Sequence, residues 1–228
     1  ELSAEVTRLG PVAAEALAGG RIGVCPVGDF YAYFDGGEIV NPVASVAKRV
    51  AATQTALAAG YAGFRAVVDA TPVARTPEQR DAFGQFEHLI DQTMSRQPVS
   101  TICAYDMGQL GTEAATEMAC LHPYVGRGST PFWLYAVNQA HAALGLGGEV
   151  DSFCADPFAT AVGRILALID TGTIGIDGRD LAFINHRGLL AIDRQAADRG
   201  RQVVLYSASP VVALMADVLL LESVSLRK

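Results

Sequence analysis

Residues 181–192 read LAFINHRGLLAI: an apolar run, a polar break at Asn185-His186-Arg187, a glycine at 188, and a second apolar run. The first run continues backwards through TIGIDGRD and has the composition of a buried strand. The second continues forwards as RGLLAIDRQAADRG, with apolar residues at helical spacing. A strand that passes straight into a helix is the repeating joint of an α/β domain. Such a joint leaves the helix's first backbone N–H groups and its positive dipole end facing outward, where a partner or an anion is recognised.

The pattern extends in both directions from this joint. After it come a strand at QVVLYSAS, a helix at SPVVALMADVLL and a last strand at LLESV. Before it come strands at WLYAVN and ALGLGGEVD, then a helix at DPFATAVGRILALIDTG, capped at Asp156-Pro157 and ended by Gly172. Around YVGRGSTPF, glycine, serine and proline crowd together and the alternation breaks. A boundary near residue 130 is expected there, dividing the chain into units 1–130 and 131–228.

The first unit alternates in the same way. SAEVTRLGPVAAEALAGG reads as one helix ending at a glycine pair, and RIGVCPV as a short strand. NPVASVAKRVAATQTALAAG is a helix capped by Asn41, with Pro42 at its first position and Gly60 closing it. FRAVVDA and VSTICAYD read as strands. TPEQRDAFGQFEHLIDQTMSRQ reads as a helix opened by Thr76-Pro77, and GTEAATEMACLHP as one stopped by Pro123. Alternation of this kind predicts parallel sheets covered by helices.

Half of the 228 residues are apolar and 18% are charged, the composition of a globular chain. The net charge is −7 and the basic residues are scattered, which speaks against nucleic acid as a partner. No apolar run approaches a membrane span, and the start of the chain lacks a signal-peptide core. Cys25, Cys103, Cys120 and Cys154 show no CxxC spacing. Buried thiols in a reducing, cytoplasmic compartment are therefore expected, with no metal site and no cofactor. No GxxxxGK[ST] occurs: GRGST at 126–130 lacks the lysine, and GLGG at 145–148 lacks the following helix. With Lys48 and Lys228 as the only lysines, ATP hydrolysis is not expected.

Three stretches carry a resemblance in the second unit: LGLGGEVDSFCADPFATAVGRIL, DLAFINHRGLLAI and ADRGRQVVLYSASPVVALM. Together they resemble the STAS domain, the module of anti-sigma-factor antagonists and sulfate-transporter tails, over nearly all of 131–228. The resemblance implies a partner such as an anti-sigma factor or a histidine-kinase-like ATPase, docking at the Asn185-His186-Arg187-Gly188 loop. Asn185 falls on the family's aspartate and His186 on its phosphorylated serine, while Gly188 and Leu189 match. With no hydroxyl at His186, a serine kinase has nothing to modify. His186 and Arg187 then read either as an exposed loop and helix start, as a phosphorylation-independent recognition surface, or as a pH-responsive or phosphorylatable imidazole.

In the first unit, YAGFRAVVDAT, FEHLID, STICAYD and ACLHPYV resemble the MEDS sensory domain over about 120 residues. That family is similar to a RecA-type fold that has lost its phosphate loop. Its opening His-bearing strand is absent or trimmed here, where the sequence starts with a helix. The resemblance implies a pocket for a small, hydrocarbon-derived ligand at the C-terminal ends of parallel strands, lined by Arg65, Glu87, Cys103, Tyr105, Asp106 and His122. The plain alternative makes Cys103 a core residue, Tyr105-Asp106 a strand-ending turn and His122-Pro123 a helix stop. Glu87 and His88, adjacent on one helix, cannot both face one pocket.

The fold expected is thus α/β, a degenerate RecA-like parallel-sheet sensory domain followed by a small STAS domain. The function expected is a non-enzymatic cytoplasmic regulator, with room for a homodimer. Two rivals stand beside it: an interaction or oligomerisation module that senses nothing, and a Cys103/His122 hydrolase or transferase. The enzyme would need thiol and imidazole within hydrogen-bond reach and a third group orienting the base. No GxSxG or cysteine-protease signature accompanies them, and Asp151 and Asp156 read as a turn and a cap.

Overall fold

The computed structural model describes residues 1–170 and 172–228. The chain opens with α1 (Leu2–Arg8) and α2 (Pro11–Ala18), where a single helix is expected from sequence. Gly10 breaks it at φ 122°, a conformation closed to helical residues, and Pro11 restarts it from the first-turn position where its missing N–H costs nothing. The expected strand at 21–27 does not form; that segment runs without a ladder into the short α3 (Val27–Phe30). Pro26 has no N–H to donate, and no strand lies alongside.

Next come α4 (Pro42–Ala58), β1 (Phe64–Asp69), a 3₁₀ turn at Thr71–Val73 and α5 (Pro77–Met94). The first unit ends with β2 (Val99–Ala104) and α6 (Met107–Ala119). Asn41 caps α4 through its side chain, and Thr76 and Gln79 form a reciprocal capping box at the start of α5. β1 and β2 pair in parallel, with Val68 opposite Cys103. Among the described residues this pair is the whole sheet of the first unit, smaller than a RecA-like sheet. One of its faces turns towards α5, while Val67 and Ile102 stand exposed on the other.

The remaining elements are β3 (Phe132–Ala136), β4 (Leu144–Val150), α7 (Ala155–Leu166), β5 (Thr173–Ile184), α8 (His186–Ala197), β6 (Gln202–Tyr206), α9 (Pro210–Leu219) and β7 (Val224–Arg227). They form a five-stranded sheet in the order β3-β4-β5-β6-β7, parallel except for the β3–β4 edge pair. α7 starts at the Cys154 cap, so Asp156 lies inside its first turn rather than capping it. It ends at Leu166, short of Gly172, while Thr171 of the expected helix lies outside the described residues. Leu220 turns left-handed at φ 52° and stops α9, displacing the final strand from the expected 220–224 to 224–227. On β3, Trp133 and Tyr135 lie across Gly147 and Gly145, their register partners on β4. The GLGG run thus makes room for aromatic rings rather than for a phosphate.

One hydrophobic core runs through both halves, from Tyr31, Phe83 and Phe86 to Phe132, Phe158 and Leu205. The halves meet where α5 packs on α7 and β3, and α6 on α7. Arg164 of α7, almost wholly buried, reaches Asp81 of α5 at 2.6 Å and Glu117 of α6 at 3.5 Å. No described helix is long and apolar enough to cross a membrane. All four cysteines are free: Cys120 and Cys154 are buried, Cys103 is part-buried, and Cys25 is exposed.

Candidate functional site

The pleat of β2 sends Ile102 outward and Cys103 inward, towards α5. Two residues on, Tyr105 enters the same side, and Asp106 then caps α6 by accepting the N–H of Gly108 at 2.8 Å. α6 returns and delivers His122 just beyond its end. α5 supplies Glu87 from the middle of its buried face. These steps bring three chemically active side chains from three elements to one point. The Cys103 thiol donates to Glu87 Oε1 at 3.3 Å, and His122 Nε2 lies 3.6 Å from Glu87 Oε2. The sulfur, the ring nitrogen and the carboxylate oxygen all lie within 4.8 Å of one another.

Around this centre the polar groups outnumber their partners. The hydroxyls of Tyr31 and Tyr105, Oδ2 of Asp91 and Nε2 of His122 make no hydrogen bond among the described residues. Tyr31 reaches in from the loop after α3, its ring edge-on to Phe83 and Phe86 at 5.3 and 5.2 Å. Tyr105 meets the His122 ring edge-on at 6.2 Å. Cys103 is near enough to Tyr105 to bear on its titration, but no hydrogen bond of normal geometry joins them.

The electrostatics follow from burial with one sign of charge. Desolvation, and then the Glu87 carboxylate, push the Cys103 thiol well above its ordinary range, and the same two causes raise Tyr105. Asp91, one turn after Glu87 on α5, is raised to about 8 by burial and then by Glu87. Among the described residues no arginine or lysine forms an ion pair with Glu87 or Asp91.

Four of the six expected pocket residues therefore converge: Glu87, Cys103, Tyr105 and His122. Arg65 does not join them. It stands exposed on β1, opposite Ser100, on the face that also carries Val67 and Ile102. Asp106 does not join them either, being exposed and committed to its cap and to Gln109. Glu87 alone of the 87–88 pair meets the cluster. His88 is buried on another side of α5, where its Nε2 meets the Gln92 amide at 3.1 Å and burial pushes it down to about 4. Sequence reading missed Asp91 and Tyr31. Asp91 carried a usable signal, since it sits one helical turn after Glu87 among Phe83, Phe86 and Ile90.

At the strand-to-helix joint, Asn185 caps α8 by accepting the Gly188 N–H at 2.9 Å. His186 and Arg187 stand exposed, and Gly188 is buried against Ile184 and Val150. Phe153, whose preceding neighbour Ser152 accepts from Asn185 at 3.4 Å, is 96% exposed.

Residues 1–123 match the family model described as MEDS, the methanogen/methylotroph, DcmR sensory domain. No curated protein matches the chain.

Proposed function

Since the chain belongs to the MEDS family, with residues 1–123 forming its sensory domain, we propose that it is a regulator in which the Glu87–Cys103–His122 cluster detects a small molecule. The observation that carries this reading is the surplus of buried polar atoms, on Tyr31, Tyr105, Asp91 and His122, left without partners. Buried polar groups are nearly always satisfied, and those that are not call for an explanation, a bound molecule or ion among them. The ligand class is a small molecule with an apolar body, to suit Phe83 and Phe86, and one heteroatom to meet the unpaired groups.

Residues 131–228 act in this reading as a STAS output domain. Supporting it are the mixed sheet with its single antiparallel edge, the retained Asn185 cap, and a Gly188 with no room for a side chain. Exposed His186 and Arg187 beside exposed Phe153 offer a docking surface for an anti-sigma factor or a histidine-kinase-like ATPase, without serine phosphorylation. α5 links the two ends of the proposal: it carries Glu87 to the sensory cluster and Asp81 to Arg164 of α7. Four free cysteines suit a reducing, cytoplasmic setting.

A second reading, an interaction module that senses nothing, draws support from the packing of the cluster. Two surface grooves lie away from it, between α4 and α5 near Val43 and Leu89, and beside α9 near Leu220. An enzymatic reading is disfavoured: a thiol raised by burial and by Glu87 is a poor nucleophile, and it bonds the carboxylate rather than the imidazole.

The test is isotope-resolved NMR of the full chain with a panel of short-chain alcohols, thiols and alkyl halides. Shifts at Cys103, Tyr105 and His122 with saturable dependence are expected from at least one class. Shifts confined to the two grooves, or none at millimolar ligand, would select the non-sensing module.

A further inference from the structure

His122 and Glu87 face each other in a way that ordinary hydrogen bonding does not satisfy. The Nδ1 of His122 lies 3.1 Å from the Met118 carbonyl, which only accepts, so the proton of the neutral ring sits on Nδ1. In that tautomer Nε2 presents its lone pair to Glu87 Oε2, itself an acceptor, at 3.6 Å. The other carboxylate oxygen is occupied by the Cys103 thiol. Acceptor faces acceptor in a site where Glu87 is buried and Asp91 adds a second carboxyl. What the arrangement lacks is a positive charge between the lone pairs.

We propose that Glu87, Cys103 and His122 hold a divalent cation of the zinc class, with its fourth position open to the heteroatom of the sensed molecule. One nitrogen, one sulfur and one oxygen are the donor types zinc accepts, and three protein ligands with an open position is the layout of zinc sites that meet small molecules. The donor separations suit a tetrahedral ion after small side-chain shifts. The Nδ1–Met118 bond is the outer contact that metal-bound histidines regularly make, fixing the ring with Nε2 towards the ion. Binding is a proton exchange: the Cys103 S–H bond breaks, a metal–sulfur bond forms, and the proton leaves to buffer. Nothing is oxidised or reduced. The hydroxyls of Tyr31 and Tyr105, raised by burial and near enough to Cys103 and Glu87 to be raised further by their charge, remain as unspent hydrogen-bond groups. The metal itself stands apart from the sensory reading; only the use of its fourth position rests on it.

The chelator-treated 228-residue chain, checked for folding by circular dichroism, is titrated with Co(II), and in parallel with Zn(II) for stoichiometry by atomic spectroscopy. One equivalent and a thiolate-to-cobalt charge-transfer band are expected, with the band retained in Cys25→Ser and abolished in Cys103→Ser. His122→Gln, at a part-exposed position, is expected to weaken binding about tenfold or more and serves if Cys103→Ser does not fold. No retained metal, or a band that persists in Cys103→Ser or with unchanged affinity in His122→Gln, overturns the site. A short-chain thiol or alcohol is then added to the cobalt form. Altered ligand-field bands support the open position. Unaltered bands refute that use of the metal while leaving the metal site intact, and ligand shifts at the cluster in chain that binds no metal refute the site while leaving sensing intact.

Discussion

Gly84 of α5 lies so close beneath Arg164 of α7 that a Cβ there would fall 2.5 Å from the arginine's Cδ. The missing side chain is what lets the Arg164 stem pass over α5 and reach Asp81. Two halves joined through one buried arginine are thus coupled at a position where glycine would otherwise only weaken a helix.

Gly84→Ala consequently carries two opposed effects. Helix propensity favours alanine by about 1 kcal/mol, while overpacking against an anchored Arg164 costs roughly 1–3 kcal/mol. Net destabilisation is expected in the parent chain. In an Arg164→Ala background the main clash is gone, and the same substitution becomes neutral or stabilising. Urea unfolding of the four chains of this cycle measures the sign change, and additive effects would show that the two residues are not coupled.

Stability is expected to fall as pH rises from about 6.5 to 8. Asp91 is raised from 3.8 to about 8, so between those values the folded chain holds a proton that the unfolded chain has lost. Its contribution is complete below 3.8 and is lost as pH rises through 8. His88, lowered from 6.5 to about 4, acts in the opposite sense: its contribution is present above 6.5 and lost as pH falls towards 4. The two slopes cancel between 4 and 6.5, leaving Asp91 alone above, at up to about 1.4 kcal/mol per pH unit. Melting temperatures from pH 6 to 9 should decline in the parent and stay level in Asp91→Asn. An equal decline in both would assign the effect to another group.

The joint at Asn185–Gly188 separates fold from recognition. Asn185→Ala removes the cap on Gly188 and should cost about 1 kcal/mol. Gly188→Ala places a Cβ 2.7 Å from Ile184 and 2.8 Å from Val150 and should cost about 1–3 kcal/mol. His186→Ala and Arg187→Ala change exposed residues and should stay within about 0.5 kcal/mol. Thermal unfolding checks the ranking. Pull-downs of candidate anti-sigma kinases with the His186/Arg187 double alanine then report on recognition alone, and undiminished capture removes the loop from the interface.

The starts of α4, α5 and α9 were legible because capping is local chemistry: Asn41, Thr76 and Ser209 each accept a backbone N–H three residues on. The strand expected at 21–27 was not, because a strand exists only with a neighbour, and composition says nothing of neighbours. Arg65 was misplaced because its face follows from the β1–β2 register, which the sequence does not carry. Its register partner Ser100 is an even number of residues from exposed Ile102 and an odd number from Cys103, which puts Arg65 on the outer face. Cys103, Glu87 and His122 were readable as an ordered set, but their convergence depends on how α6 returns past its non-helical Gly111. Tyr31 was hidden for a similar reason, since the loop after α3 reaches the cluster only through the aromatic packing of Phe83 and Phe86.

The chain's single tryptophan reports on the glycines beneath it. A Cβ at Gly147 would lie 2.3 Å from Trp133 Nε1, whereas one at Gly145 would meet Tyr135 Cζ at 2.8 Å. Gly147→Ala must lift the indole off β4 into water, with a red shift and weakening of its emission and a loss of about 1–3 kcal/mol. Gly145→Ala displaces Tyr135 instead and should leave the tryptophan spectrum close to that of the parent. Fluorescence of the folded proteins, read before denaturant unfolding, distinguishes the two. Matching spectra in Gly147→Ala and the parent would mean that the ring does not rest on that glycine, and the GLGG run would need another explanation than aromatic cover.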